Sequence, residues 1–130
     1  MFRKLPTSRC TVPGGITVHD LLDRHVLRHR HSSYPVVDAD GRASGLVTLQ
    51  EIRLVPPEQR ATTLVDDIAV PVDRLARARP GDALLDVLAD LPGRPTGRVL
   101  VIDDDRVVGI VSASDIIRSL ELAQLITRRP

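Results

Sequence analysis

The chain predicts a mixed α/β fold of the α+β kind, in which one strand-helix-strand-strand-helix unit is written twice. Three observations carry this. Tyr34-Pro-Val-Val-Asp38, a polar loop and Gly45-Leu-Val-Thr-Leu-Gln-Glu-Ile52 return as Val99-Leu-Val-Ile-Asp103, a shorter loop and Gly109-Ile-Val-Ser-Ala-Ser-Asp-Ile116, some 64 to 65 residues later. Each copy places β-branched runs around a turn and apolar residues at helical spacing on either side. The composition is globular: 42% hydrophobic and 27% charged, with Phe2 and Tyr34 the only aromatic residues, so the core is built from Val, Leu, Ile and Ala.

In the first copy a short strand is expected between Arg9 and Val12, bounded by Pro6, Pro13, Gly14 and Gly15. Thr17-Val-His-Asp20 opens a helix, because a Thr N-cap and an acid three residues on satisfy free amides. Val18, Leu21, Leu22, His25 and Val26 make its inner face, and it fades near His29. Tyr34 to Val37 and Gly45 to Val47 form a hairpin across Asp38-Ala-Asp-Gly41, with Gly41 in the left-handed position. Thr48-Leu-Gln-Glu51 caps a short helix that stops before Pro56-Pro57, since Pro disfavours helical geometry in the residue before it. Residues 56–71 read as a connector with one helical turn.

The second copy repeats the order. A strand at Leu75 to Ala78 precedes the breaker Pro80-Gly81, and Asp82 is expected to cap a helix with Leu84, Leu85, Leu88 and Leu91 inward, ended by Pro92-Gly93. Val99 to Ile102 and Val107 to Val111 make the second hairpin. Ser112-Ala-Ser-Asp115 caps the last helix, with Ile116, Ile117, Leu120, Ala123 and Leu125 on its apolar face. Helices on one face of each small sheet leave the other face bare, so the two copies, 1–60 and 61–130, are expected to pack sheet to sheet about a pseudo-twofold axis as one compact module.

These repeated motifs resemble a tandem pair of cystathionine-β-synthase (CBS) domains, the assembly called a Bateman module. The likeness runs from Val12 to Leu122. A finer one, carried by His25 to Asp38 and Leu54-Val-Pro-Pro-Glu-Gln-Arg60, is to the CBS pair appended to bacterial site-2-type zinc metalloproteases. No His-Glu-x-x-His accompanies it in the chain, so the resemblance implies a stand-alone relative or a regulatory tail.

The resemblance implies an adenine-nucleotide or adenosyl ligand, AMP or ATP, bound without catalysis. Ser112 is expected at phosphate or ribose and Asp115 on the ribose hydroxyls, with Val99 lining the adenine and Arg98 reaching the phosphates. Physically, a strand-to-helix junction presents amide donors that favour an anion, and a carboxylate one turn in accepts from two hydroxyls. Ser112 and Asp115 admit a plainer account: they form a capping box with a gain of about 1 kcal/mol. In the first copy Thr48 and Glu51 occupy these positions. The longer Glu51 displaces its carboxylate by about 1.5 Å and weakens a two-point grip on ribose. Tyr34 takes the adenine-lining position, where it either stacks on a base or simply packs.

Other chemistries find little support. Net charge is +1, from 18 basic and 17 acidic residues, leaving no cationic surplus for nucleic acid. His25, His29 and His31 are interleaved with Arg24, Arg28 and Arg30, which repel a divalent ion, so they read as a solvated helix end. Asp103, Asp104 and Asp105 read as a solvated turn. Cys10 has no evident partner for a disulfide, ligand set or thiol mechanism, which fits a cytoplasmic protein that is no enzyme and holds no cofactor or metal. No run reaches about 18 apolar residues, so no membrane insertion is expected. Apolar helix faces are expected to pair two modules into a homodimer that acts on an attached or associated effector protein. The competing reading is a scaffold whose clefts stay empty.

Overall fold

A computed structural model describes residues 11–29 and 31–127. The first copy contains strand β1 (Val12–Pro13), helix α1 (Val18–Leu21), a π-helical stretch (Leu22–Val26), α2 (Leu27–His29), β2 (Ser33–Val37), β3 (Ala43–Thr48) and α3 (Leu49–Arg53). A 3-10 turn (Pro57–Gln59), α4 (Val65–Ile68), β4 (Val70–Pro71) and a second 3-10 turn (Val72–Arg74) connect it to the second copy. There β5 (Ala76–Ala78), α5 (Leu84–Asp90), β6 (Arg98–Asp103), β7 (Arg106–Ser112) and α6 (Ala113–Thr127) repeat the order.

One sheet runs β1-β2-β3-β4 and the other β5-β6-β7. In each copy the outer strand is parallel to its neighbour and the hairpin is antiparallel. The duplication extends to fine detail. The first hairpin slips register between Val36 and Val37 and the second between Val101 and Ile102, equivalent positions 65 residues apart. Such a bulge adds a residue to one strand and bends it.

Alternation along the strands sorts side chains into three clusters. Tyr34, Val36 and Val47 face the first copy's helices, with Val18, Leu21 and Ile52. Ala76, Ala78 and Val99 face those of the second, with Val87 and Ile116. Between the sheets Leu46, Leu75, Leu100 and Val107 interlock, with Ala43, Val70, Val72, Ile102 and Ile110 around them. That middle layer is the predicted sheet-to-sheet contact.

Thr17 Oγ1 accepts from Asp20 N at 3.1 Å, as the sequence predicts. Gly41 has φ +81° in the first hairpin turn, and a Cβ there would also press on the Arg106 guanidinium. Gly41→Ala should therefore lower stability by about 1–2 kcal/mol, readable as a reduced midpoint in urea. At Gly45 a Cβ would lie 2.5 Å from the Val70 carbonyl oxygen, which is what lets β4 close on β3.

Four expectations need correction. Asp82 does not cap α5: its carboxylate accepts from Arg79 N at 2.8 Å, closing the turn at Pro80-Gly81, and the helix starts two residues later with no side-chain cap. That start rotates α5 so that Val87 is buried while Leu85 points to solvent. On α6 Ile116 and Leu120 pack inward, but Ile117 and Leu125 are exposed, because the small sheet covers only a narrow stripe of a 15-residue helix. Finally, residues 56–71 are more than a connector. Val18 N donates to Thr63 O, His19 N to Arg60 O and Val65 N to Ile16 O, and Val65 is fully buried in the first copy's core. The predicted strand's residues before Thr11 and the Cys10 thiol lie outside the described residues, as do the side chains of His29, Leu84 and Ala123.

Candidate functional site

Both strand-to-helix junctions are capping boxes, and they differ. At the first, Thr48 N donates to Glu51 Oε1 at 2.8 Å and Thr48 Oγ to Oε2 at 2.9 Å, so both carboxylate oxygens are engaged. At the second, Asp115 N donates to Ser112 Oγ at 3.1 Å, while Ser112 N reaches Asp115 Oδ2 only at 3.4 Å. The other oxygen, Oδ1, has Arg118 Nη1 at 4.0 Å. The Glu side chain is long enough to fold back on its own cap with both oxygens; the shorter Asp gives one oxygen to the cap and the other to a long, exposed ion pair with Arg118. Capping thus engages one Asp115 oxygen and leaves the other outside the cap.

The copies meet beside these junctions. In the hairpin ladders Ser33 stands opposite Thr48, and at the equivalent place Arg98 stands opposite Ser112. Leu49 N donates to Ser32 O at 3.1 Å, and Ala113 N to Gly97 O at the same distance. Across this symmetry a side-chain bond joins the copies: Arg98 Nη2 donates to Ser32 Oγ at 2.8 Å. Residues directly opposite in an antiparallel pair share a face, about 4.5–5.5 Å apart, so Arg98 emerges beside Ser112 while its guanidinium reaches the first copy.

A cavity of about 390 Å³ lies where that guanidinium arrives. Thr48, Gln50, Glu51 and Arg53 wall it from the first copy, and Pro95, Thr96 and Arg98 from the second. Of the residues that the sequence singles out, it gathers Thr48, Glu51 and Arg98. Ser112 and Asp115 sit outside its walls, Ser112 half-buried and Asp115 exposed. Val99 and Tyr34 are both fully buried in the helix-facing cores, where Tyr34 Oη accepts from His31 N at 3.0 Å. Sequence reasoning missed Ser32 and the Pro95–Thr96–Gly97 approach. Gly97 is the one local signal there, since a glycine before a strand marks unusual backbone; nothing local marks Ser32.

A larger open depression of about 740 Å³ sits at the hairpin turns, lined by Arg77, Arg79, Asp90 and Asp103 to Asp105. Among the described residues no group of three or more His, Cys, Asp or Glu is arranged to hold a metal, and no helix is long and apolar enough to cross a membrane.

Comparison with known proteins agrees with the fold. A family model described as CBS domain matches residues 2–58 and 65–122. A Mycobacterium tuberculosis protein named as a zinc metalloprotease, Rip3, is 44% identical over 121 residues, found in both strains H37Rv and Erdman. The match covers 92% of this chain and 31% of that protein, so the chain spans about a third of the relative's length. Among solved structures, the CBS domain of a bacterial CNNM/CorC family Mg2+ transporter in complex with ATP aligns with a TM-score of 0.73 at 20% identity, covering 91% of this chain and 84% of that one. The CBS-pair protein CBSX2 from Arabidopsis thaliana aligns at 0.71 and 20%, covering 92% and 89%. At such identities the likeness is one of fold.

Proposed function

Since the chain belongs to the CBS-domain family, as a tandem pair, we propose that it is a regulatory module that binds an adenine nucleotide or adenosyl compound between its copies and catalyses nothing itself. The observation that carries this reading is the 390 Å³ cavity with walls from both copies and the Arg98 guanidinium in it. Arg98 meets the phosphates in the cavity, and Ser112, opposite Arg98 on the neighbouring strand, and Asp115 hold the sugar outside its walls, with Asp115 Oδ1, paired with Arg118 Nη1 at 4.0 Å, as an acceptor. Thr48 and Glu51 belong to the weaker of the two junctions, because the Glu51 carboxylate is already spent on Thr48. Val99 and Tyr34 support the pocket from behind as buried packing residues. The ATP complex of the CNNM/CorC CBS domain lends support to a nucleotide as ligand.

Signalling follows from differential affinity: a ligand touching both copies favours one of their relative arrangements and passes that bias to an attached or associated protein. The 44% identity to Rip3 favours a metalloprotease as that effector, with this module as its cytoplasmic regulatory tail. A second reading, a ligand-free dimerisation scaffold, draws on the exposed Leu85, Ile117, Leu122 and Leu125 of α5 and α6.

Thermal unfolding with AMP, ADP, ATP and S-adenosylmethionine separates the two. A true ligand at 100 times its Kd stabilises by about 2.7 kcal/mol, a rise in Tm of about 10 °C for a domain of this size. A flat panel for all four compounds refutes the nucleotide reading and leaves the scaffold.

A further inference from the structure

We propose that Arg98 and Ser32 form an anion-released latch between the two copies, closed in the free protein and opened by a polyphosphate in the 390 Å³ cavity. This deepens the nucleotide reading, on which it rests for the identity of the anion, but its own logic needs only the phosphate chain.

Three independent features converge on the segment that carries Arg98. Its side chain is incompletely satisfied: Nη2 donates to Ser32, but Nε is buried and has no hydrogen-bond partner among the described residues. No carboxylate among the described residues pairs with it, so the cation enters the cavity uncompensated. The approach to it is strained. Thr96, which also lines the cavity, has φ +75°, a left-handed conformation that a β-branched side chain strongly disfavours. Thr96 Oγ1 accepts from Arg98 N at 3.3 Å, so the strained residue holds the backbone from which the guanidinium projects. Strain of this kind persists where the surroundings over-determine it, and clusters at ligand clamps.

The electrostatic balance around the cavity decides what it takes. Glu51 is the only acid in its walls, and its oxygens are occupied by Thr48, whereas Arg53 and Arg98 present two guanidinium groups. The wall is therefore net cationic, and it suits an anion. Ser32 is a poor holder for Arg98, offering one neutral oxygen to a planar fork built for two. A phosphate accepts from Nε and Nη2 together, in bonds roughly twice as strong as neutral ones. Phosphate thus outcompetes the hydroxyl and satisfies the orphan Nε in the same step.

Release matters because of where Ser32 is tied. Its carbonyl oxygen accepts from Leu49 N at the start of α3, so the side chain that lets go of Arg98 sits on the first copy's strand-to-helix junction. The latch joins residues 66 apart in the chain, and opening it removes a direct polar tie between the copies. The ligand exchanges that tie for its own.

Isothermal calorimetry with tripolyphosphate and with ATP on the full chain tests the latch. Tripolyphosphate should bind the wild type. Ser32→Ala, which removes the competing acceptor, should bind it about two- to fivefold more tightly, and Ser32→Thr should return to the wild-type value. Arg98→Lys, which keeps the charge but loses the fork, should bind at least about tenfold more weakly. An unchanged affinity in Ser32→Ala and Arg98→Lys, or no tripolyphosphate binding at all, overturns the latch. If ATP binds and neither replacement matters, the latch fails and the nucleotide reading stands. If tripolyphosphate binds through Arg98 and ATP binds no more tightly, the latch stands and the nucleotide reading fails.

Discussion

Leu100→Ala lowers the stability of the module by about 2–5 kcal/mol, a large share of the roughly 5–15 kcal/mol that holds a domain of this size folded. Leu100 is fully buried in the layer between the sheets, against Leu46, Leu75 and Val107. Truncation removes apolar contact and leaves a hole that two facing sheets, each fixed by its own ladder, cannot collapse to fill. Urea unfolding followed by circular dichroism reads the change as a lower midpoint at similar slope. Leu85→Ala serves as the control: the side chain is 67% exposed, so its loss should stay within about 0.5 kcal/mol. A loss below about 1 kcal/mol for Leu100→Ala would mean that the copies do not depend on this layer.

Asp115→Ala weakens AMP binding by about tenfold to a hundredfold, on the proposal that this acid grips the ribose. The figure converts the roughly 1.5–3 kcal/mol of a hydrogen bond to a charged group at about 1.4 kcal/mol per decade. The cap itself contributes little to the comparison. Its second arm is the long 3.4 Å contact to Ser112 N, and Ser112 Oγ still accepts from the backbone amide of residue 115 in the variant. Stability should therefore fall by about 1 kcal/mol at most. Calorimetry with AMP and with tripolyphosphate separates sugar from phosphate: only the first should respond. Unchanged AMP affinity, or an equal loss for both compounds, removes Asp115 from the site and returns it to capping alone.

Most of the fold was legible because the signals were local and repeated. The β-branched runs around Asp38 to Gly41 and Asp103 to Arg106 give the hairpins, and three side chains spaced as caps, at Thr17, Thr48 and Ser112, open helices where expected. Asp82 misled because an acid before a helix and an acid closing a turn have the same sequence signature; the Arg79 amide decides between them. Ile117, Leu125 and Leu85 misled for another reason. Helical periodicity says which residues share a face, but only the width of the opposing sheet says how much of that face is covered. The sheet-to-sheet layer was inferred from an uncovered face, and it came out so because both copies alternate in the same phase, bulge included.

The site was legible only where its chemistry is local. Ser112 and Asp115, or Thr48 and Glu51, are neighbours one helical turn apart, and their pairing is written in the chain. The Arg98 to Ser32 bond spans the interface between copies and depends on the relative placement of two sheets, which no motif encodes. Val99 and Tyr34 show the converse limit. Position in a repeat suggested a lining role, but strand alternation turns both side chains into their own cores.

The stitching of residues 60–66 back onto the start of α1 has a practical corollary for anyone dividing the protein. A fragment stopped at residue 60 would forfeit Val65 from its interior and leave the amide of Val18 without the oxygen of Thr63. Its β3 would also become a bare edge, deprived of Val70 and Pro71. The sequence repeat and the packing unit of the first copy are therefore cut at different places, and the sounder division falls after β4.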